Sequence, residues 1–379
     1  MRKTPMKQLT QCPAQRYVEK LNALRGGTPT RLLIDFPARR YVLHKNKHTE
    51  KLSKEVSEII ELIYMQLHLV KIDEVRTMVL ETMRALAHHH QDKVLNSLLM
   101  KPLPFDKDTS DLWRSLTDEP SYSCKVLRFL MVIINEENEL TLRNSLSFTD
   151  DQPAAALMPL KATCAIHEVL QAASSHAAIQ ELVPALFCTL LAEVSQTLGR
   201  RVETATFSSR RRRFRRATTL GDLNPCSLAV DALQCLLSFG NTQMASVKGS
   251  DETEGWTLIK NIERHHEGVM QITRGLIVSK GELIKDVVHC LLPSLSSDST
   301  TWRVTGTAVF VELMGHRILR GLKLLKKLVK DMKRKSLDPN YAIRSMAIRA
   351  LGSVSYGAPD KSESSWADGI LQRSVRVVI

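Results

Sequence analysis

A pair of amphipathic helical stripes occurs twice in the last hundred residues of this chain, with an arginine at the same place in each copy. Leu283, Ile284, Val287, Val288, Leu291 and Leu292 recur at the spacing of one helix face and stop at Pro293. A polar turn, SSDST, follows, and a second helix opens with Trp302-Arg303-Val304. The pair then returns. Leu324, Leu325, Leu328, Val329 and Met332 lead to Ser336-Leu337-Asp338-Pro339, then to Ile343, Met346, Ala347, Ala350, Leu351 and Val354. Arg303 and Arg344 stand 41 positions apart, each just inside the second helix of its pair. A single pair cannot bury both of its faces, so successive pairs must stack.

That spacing falls within the ~40–47-residue period of HEAT-type arrays. Asp73-Glu74-Val75-Arg76 reads as an earlier copy of the same helix start. An acidic residue at the turn favours the positive end of the second helix dipole. Small residues such as Ala347 and Ala350 let neighbouring helices approach. Upstream, Leu52, Val56, Ile59, Ile60, Ile63, Leu67 and Val70 mark one helix, and Val75, Val79, Met83 and Leu86 the next, ending near His88–His90. Further helices are predicted over Lys93–Met100, Trp113–Leu116, Ser123–Asn135, Ala155–Ala173, Ile179–Leu198, with Gly199 as a stop, and Pro225–Phe239. A pause follows over 240–255, and helix resumes near Ile262.

No alternating strand pattern of useful length interrupts this series. Aromatic residues are only 5% of the chain, with 16 Gly and 14 Pro, so aliphatic side chains supply the apolar surface, as suits helix packed on helix. The expected fold class is all-α, an α-solenoid of stacked HEAT-like helical hairpins. The expected organisation is an unassigned segment over 1–48, HEAT-like repeats over 49–199, an Arg-rich mobile loop over 200–222, repeats again over 223–361, and a tail over 362–379.

Several stretches carry a resemblance beyond the period. Leu337–Gly352 reads LDPNYAIRSMAIRALG, like the second helix of a HEAT repeat. KPLPFDKDTSDLWRSL (Lys101–Leu116), TCAIHEVLQAASSHAAIQELVPALFCTLLAEVSQTLG (Thr163–Gly199), LNPCSLAVDALQCLL (Leu223–Leu237), and the run from HHEGVMQITRGLI to WRVTGTAVFVELM (His265–Met314) resemble the maestro heat-like repeat family. The resemblance covers about residues 49–361. It implies a curved α-solenoid with a scaffold role inside the cell, and the family offers no catalytic residues to carry over. The first 48 residues and the closing SESSWADGILQRSVRVVI depart from the family pattern.

Enzymatic motifs are incomplete wherever they begin. His167-Glu168 and His266-Glu267 start a zinc-protease H-E-x-x-H, but Gln171 and Met270 occupy the fifth positions. His88, His89 and His90 are adjacent, so they diverge around a helix and cannot share one ion. Cys164 and His167 lie one turn apart, yet Cys164 shares the stripe of Leu160 and reads as core. Phosphate-binding glycine loops and serine nucleophile elbows do not occur. The expectation is therefore no catalytic site, no metal and no cofactor. The seven scattered cysteines, none in a C-x-x-C pair, fit reduced thiols in a cytoplasmic protein with access to the nucleus. No apolar run reaches the ~18 residues of a membrane span.

The formal charge of +13 is local. Arg210, Arg211, Arg212, Arg213, Arg215 and Arg216 supply six charges around Phe214. This run could be a plain solvated loop, an import signal, a contact for nucleic acid or anionic lipid, or a kinase substrate, since Arg215-Arg216-Ala217-Thr218 fits a basophilic R-R-x-[ST] site at Thr218. With Phe214 as the single aromatic, sequence-specific RNA recognition is disfavoured. A second basic group, Lys323, Lys327, Lys330 and Arg334, follows helical spacing and is flanked by Lys326 and Lys333. It serves either as the solvated face of a repeat helix or as a surface for an acidic peptide. Protein partners, with a basophilic kinase as one candidate, are expected ahead of nucleic acid.

Overall fold

The computed structural model describes residues 49–144, 157–172, 179–201, 223–238, 250–316 and 323–356. Among them are fourteen α-helices and no β-strand. The chain separates into two compact units, one comprising Met1–Val126 with Gln171–Ser174, the other Leu127–Leu170 with Ser175–Ile379.

In the first unit, α1 (Thr49–Leu67), α2 (Asp73–His89) and α3 (Gln91–Leu99) pack on one another, and α4 (Lys107–Ser115) packs on α1 and α2. The predicted stripe of α1 is the buried one: Val56, Ile60, Ile63 and Leu67 are each at most 1% exposed. Asp73 and Glu74 occupy the first turn of α2, where carboxylates meet the positive end of the helix dipole. The short helix expected at Trp113–Leu116 is longer and starts at Lys107. Its N-cap Asp106 accepts the Thr109 N–H at 2.8 Å. Asp108, Thr109 and Ser110 on this helix are buried, which hid it from a hydrophobic pattern.

Helix α5 (Pro120–Asn144) runs past its expected end at Asn135. The second unit then contains α6 (Met158–Ala172) for most of its length, α7 (Val183–Thr197) and α8 (Pro225–Ser238). Helix α7 is apolar nearly all round, and it is buried accordingly between α8, α11 (Ile284–Leu291) and α12 (Thr300–Gly315). It ends where Gly199 takes φ +74°, the left-handed cap position that glycine adopts at least cost.

Three hairpins complete the unit. Helices α9 (Ser250–Leu258) and α10 (His265–Ser279) pack together. So do α12 and the 3₁₀ turn Leu292–Ser296 that extends α11, and then α13 (Lys323–Lys335) and α14 (Tyr341–Tyr356). The second helices stack directly, α10 on α12 and α12 on α14. Helix α9 lies where a pause was expected. It carries no apolar stripe, and buried Leu258 and Ile259 at its end anchor it.

Two glycines permit the close approaches. A Cβ on Gly268 of α10 would stand 2.2 Å from the Ile259 backbone nitrogen, and one on Gly306 of α12 would stand 1.8 Å from Ser294 Oγ.

Candidate functional site

The arginines that marked the repeats hold turns together. Arg303 Nη1 donates to the carbonyls of Ser297 (3.0 Å) and Asp298 (2.8 Å), closing its own hairpin turn. Arg344 does the same to the carbonyls of Asp338 and Pro339, at 2.9 Å each. Arg303 Nε also reaches Asp338 Oδ2 at 3.2 Å, 35 residues onward in the next turn. Lys335 Nζ approaches the same oxygen at 3.0 Å, and the Asn340 N–H donates to Asp338 Oδ1 at 3.1 Å. Burial works against the charged form, but the Asn340 amide, Lys335 and Arg303 together hold the Asp338 carboxyl below the ordinary aspartate range.

In the first unit Arg76 repeats the arrangement. Its Nη2 lies 2.6 Å from Asp108 Oδ1 and 2.7 Å from Asp111 Oδ2, the latter again 35 residues onward. Of the predicted acidic turn residues, Asp338 thus serves as the partner of the preceding repeat's arginine.

With Asp338 anchoring Lys335 and Arg303, the end of α13 is fixed. Leu328, Val329 and Met332 face inward, while Lys326, Lys327, Lys330, Lys333 and Arg334 are exposed. The predicted basic stripe is thus one surface, although the Lys323 side chain lies outside the described residues. Arg334 pairs with the nearly buried Asp331. Among the described residues, no carboxylate pairs with Lys326, Lys327, Lys330 or Lys333.

Beside this stripe runs a groove of about 570 Å³. Lys327, Asp331, Arg334 and Lys335 form one wall, and His289, Leu292, Pro293, Leu295 and Ser296 form the other. The second wall was not apparent from the sequence, because it belongs to the previous repeat and turns toward α13 only when hairpins stack. An apolar wall facing a cationic one can seat an extended segment that alternates carboxylates with aliphatic side chains.

The other predicted positions, Arg210, Arg211, Arg212, Arg213, Arg215, Arg216 and Thr218, lie outside the described residues.

One buried cluster has the composition of acid–base chemistry. His265, Thr305 and Ser195 are 3%, 0% and 1% exposed, so their chain of hydrogen bonds is sealed from solvent. His265 Nδ1 faces the Ile259 carbonyl at 2.7 Å and must carry the proton there. Burial holds the ring below its ordinary pKa and therefore neutral, so Nε2 accepts from Thr305 Oγ1 at 3.0 Å. Ser195 Oγ stands 2.7 Å from the same threonine oxygen. The cluster ties α7, α10 and α12 together. Among the described residues, no group of three His, Cys, Asp or Glu side chains could hold a metal ion, and no helix is long and apolar enough to cross a membrane.

Stacked hairpins, second helices in a row and arginine–aspartate bridges between consecutive turns define a HEAT-type α-solenoid protein. The chain is similar to the maestro heat-like repeat family. The family model described as "Maestro, HEAT repeats" matches residues 42–127. Maestro heat-like repeat-containing protein family member 1 is 33% identical over 83% of this chain in Bos taurus and 31% identical over 82% in Homo sapiens. Family member 2A of Mus musculus is 24% identical over 82% of this chain. The chain spans about a fifth of the length of these relatives, 19% in each case.

Proposed function

We propose that this chain is a non-catalytic scaffold whose α13 groove holds acidic, partly apolar segments of partner proteins. The observation that carries this reading is the placement of exposed Lys327 on, and exposed Lys330 beside, a groove whose opposite wall is Leu292, Pro293 and Leu295. HEAT repeats generally mediate protein interactions, which supports a partner of protein rather than a small substrate. In this reading the repeat blocks 49–199 and 223–361 carry the binding surface, and the Arg-rich stretch 200–222 is an accessory to it.

The test is fluorescence anisotropy of a labelled peptide with alternating Glu and Leu, titrated with the full chain. Binding is expected to weaken steeply between low and physiological salt, because exposed charges are screened within ~8–10 Å. The double substitution Lys327→Glu with Lys330→Glu is expected to reduce affinity at least ~10-fold, or about 1.4 kcal/mol. Unchanged affinity in that variant rejects the groove. Changing the arginines of Arg210–Arg216 to Ser separates the rival reading. If that variant alone loses binding, and single-stranded DNA competes with the peptide, the chain is a nucleic-acid or nuclear-transport factor working through the arginine run.

A further inference from the structure

Two cysteines about a hundred residues apart in the chain meet where α7 packs on α11. Cys188 of α7 is buried, and Cys290 of α11 is exposed. The Cys188 sulfur lies 3.9 Å from the Val287 carbonyl, which belongs to the turn of α11 that carries Cys290. Val287 and Cys290 are three positions apart and share a helix face, so the turn that buries Val287 brings Cys290 to the edge of the same contact. The two thiols therefore lie at one helix contact, near enough for each to shift the titration of the other.

We propose that Cys188 and Cys290 form a reversible thiol–disulfide pair, in which Cys290 meets a hydroperoxide and Cys188 resolves the product. The roles follow from exposure. The buried Cys188 keeps its proton, because desolvation strongly opposes a thiolate there, and its S–H donates to the Val287 carbonyl. The neighbouring Cys188 thiol brings the Cys290 thiol down to about 7, against burial and Asp286. Burial pushes Cys164 up to about 12 and Cys226 up to about 11, so at neutral pH those two remain protonated. A low-pKa, accessible sulfur beside a second thiol is the arrangement of a redox-sensitive cysteine.

The chemistry balances in two steps. The Cys290 thiolate attacks the O–O bond of the hydroperoxide. A sulfur–oxygen bond forms, the O–O bond breaks, and the departing alkoxide takes a proton to leave as alcohol. The Cys188 sulfur, losing its proton, then attacks the resulting sulfenic sulfur. The S–S bond forms and hydroxide leaves with that proton as water. Two thiols lose two electrons, and the hydroperoxide is reduced to alcohol and water. Closing the pair brings the two sulfurs to ~2.05 Å, an approach that rotamer adjustment on two packed helices would have to supply. The bond would staple α7 to α11, whose continuation forms the apolar wall of the groove. The proposal does not depend on what that groove binds.

The experiment treats the full-length chain with cumene hydroperoxide, alkylates the remaining thiols, and maps peptides by mass spectrometry. A Cys188–Cys290 linked peptide is expected to appear ahead of any other cysteine pair and to revert with dithiothreitol. In Cys188→Ala, which suits a buried site, dimedone is expected to trap a sulfenic acid at Cys290 at least ~10-fold more than in the unsubstituted chain. Two results would overturn the proposal: Cys290 oxidised without a link to Cys188 in the unsubstituted chain, or iodoacetamide labelling of Cys290 no faster than that of Cys235. The first and last readouts use the native sequence, so a folding defect in the variant leaves them intact.

Discussion

Gly268 and His265 sit three residues apart at the start of α10, and both tie that helix to the Leu258–Ile259 turn by contacts that admit no substitute. A methyl group on Gly268 would enter the van der Waals shell of backbone atoms, which cannot rotate away. Gly268→Ala is expected to cost about 1–3 kcal/mol in urea denaturation, outweighing the ~1 kcal/mol that alanine adds to an unconstrained helix. Gly315, where an added Cβ meets nothing nearer than 3.9 Å, is the control expected to tolerate the change. His265 makes a pH prediction. It is buried neutral, so its folded pKa lies below the unfolded value of ~6.5, and the unfolded chain binds the extra proton. Its contribution to stability is complete above pH ~6.5 and is lost as pH falls from there toward the folded pKa. Denaturation midpoints between pH 5 and 8 check this, and Thr305→Val, which removes the donor to Nε2, is expected to cost about 1–3 kcal/mol.

Among elements, the bridge from Arg303 to Asp338 joins one hairpin turn to the next, with side chains 13% and 4% exposed. Removing one partner leaves the other charge buried. Arg303→Ala is therefore expected to destabilise by about 1–3 kcal/mol, even with Lys335 and the Asn340 amide still holding Asp338, and by more than the loss of an exposed pair such as Arg264–Glu267. A double-mutant cycle with Asp338→Asn isolates the pairwise part. Because the Asp338 carboxyl is held below its ordinary value, its share of the stability is present above pH ~3.9 and is lost as pH falls below it. Helix α7 shows the opposite balance. Leu186, Phe187, Leu190, Leu191 and Val194 are all fully buried, and Ser195 adds a hydroxyl contact to Thr305.

At the level of the whole molecule, stability in a repeat protein is a sum of nearest-neighbour terms. With two compact units in one chain, unfolding is expected to depart from a single two-state transition. Calorimetry that finds the calorimetric enthalpy larger than the van't Hoff enthalpy would bear this out. Equality of the two would instead make the chain one cooperative block.

Helix class and stacking were legible in the amino-acid order, because apolar spacing of three and four residues has no other economical solution and pairs so patterned must stack. The inward faces of α1, α2, α11 and α14 and the recurring arginines Arg76, Arg303 and Arg344 could be read there directly. The first turns of α4 and the helix α9 could not, since their buried polar atoms and terminal anchors carry no periodic apolar signal. The cationic wall of the groove was visible as a stripe on α13. Its apolar wall, the carboxylates that Arg303 and Arg76 reach, and the meeting of Cys188 with Cys290 depend on contacts between residues 32 to about 100 positions apart. Local pattern determines which face of each helix turns inward. Only packing between repeats decides which side chains from different hairpins come into reach of one another.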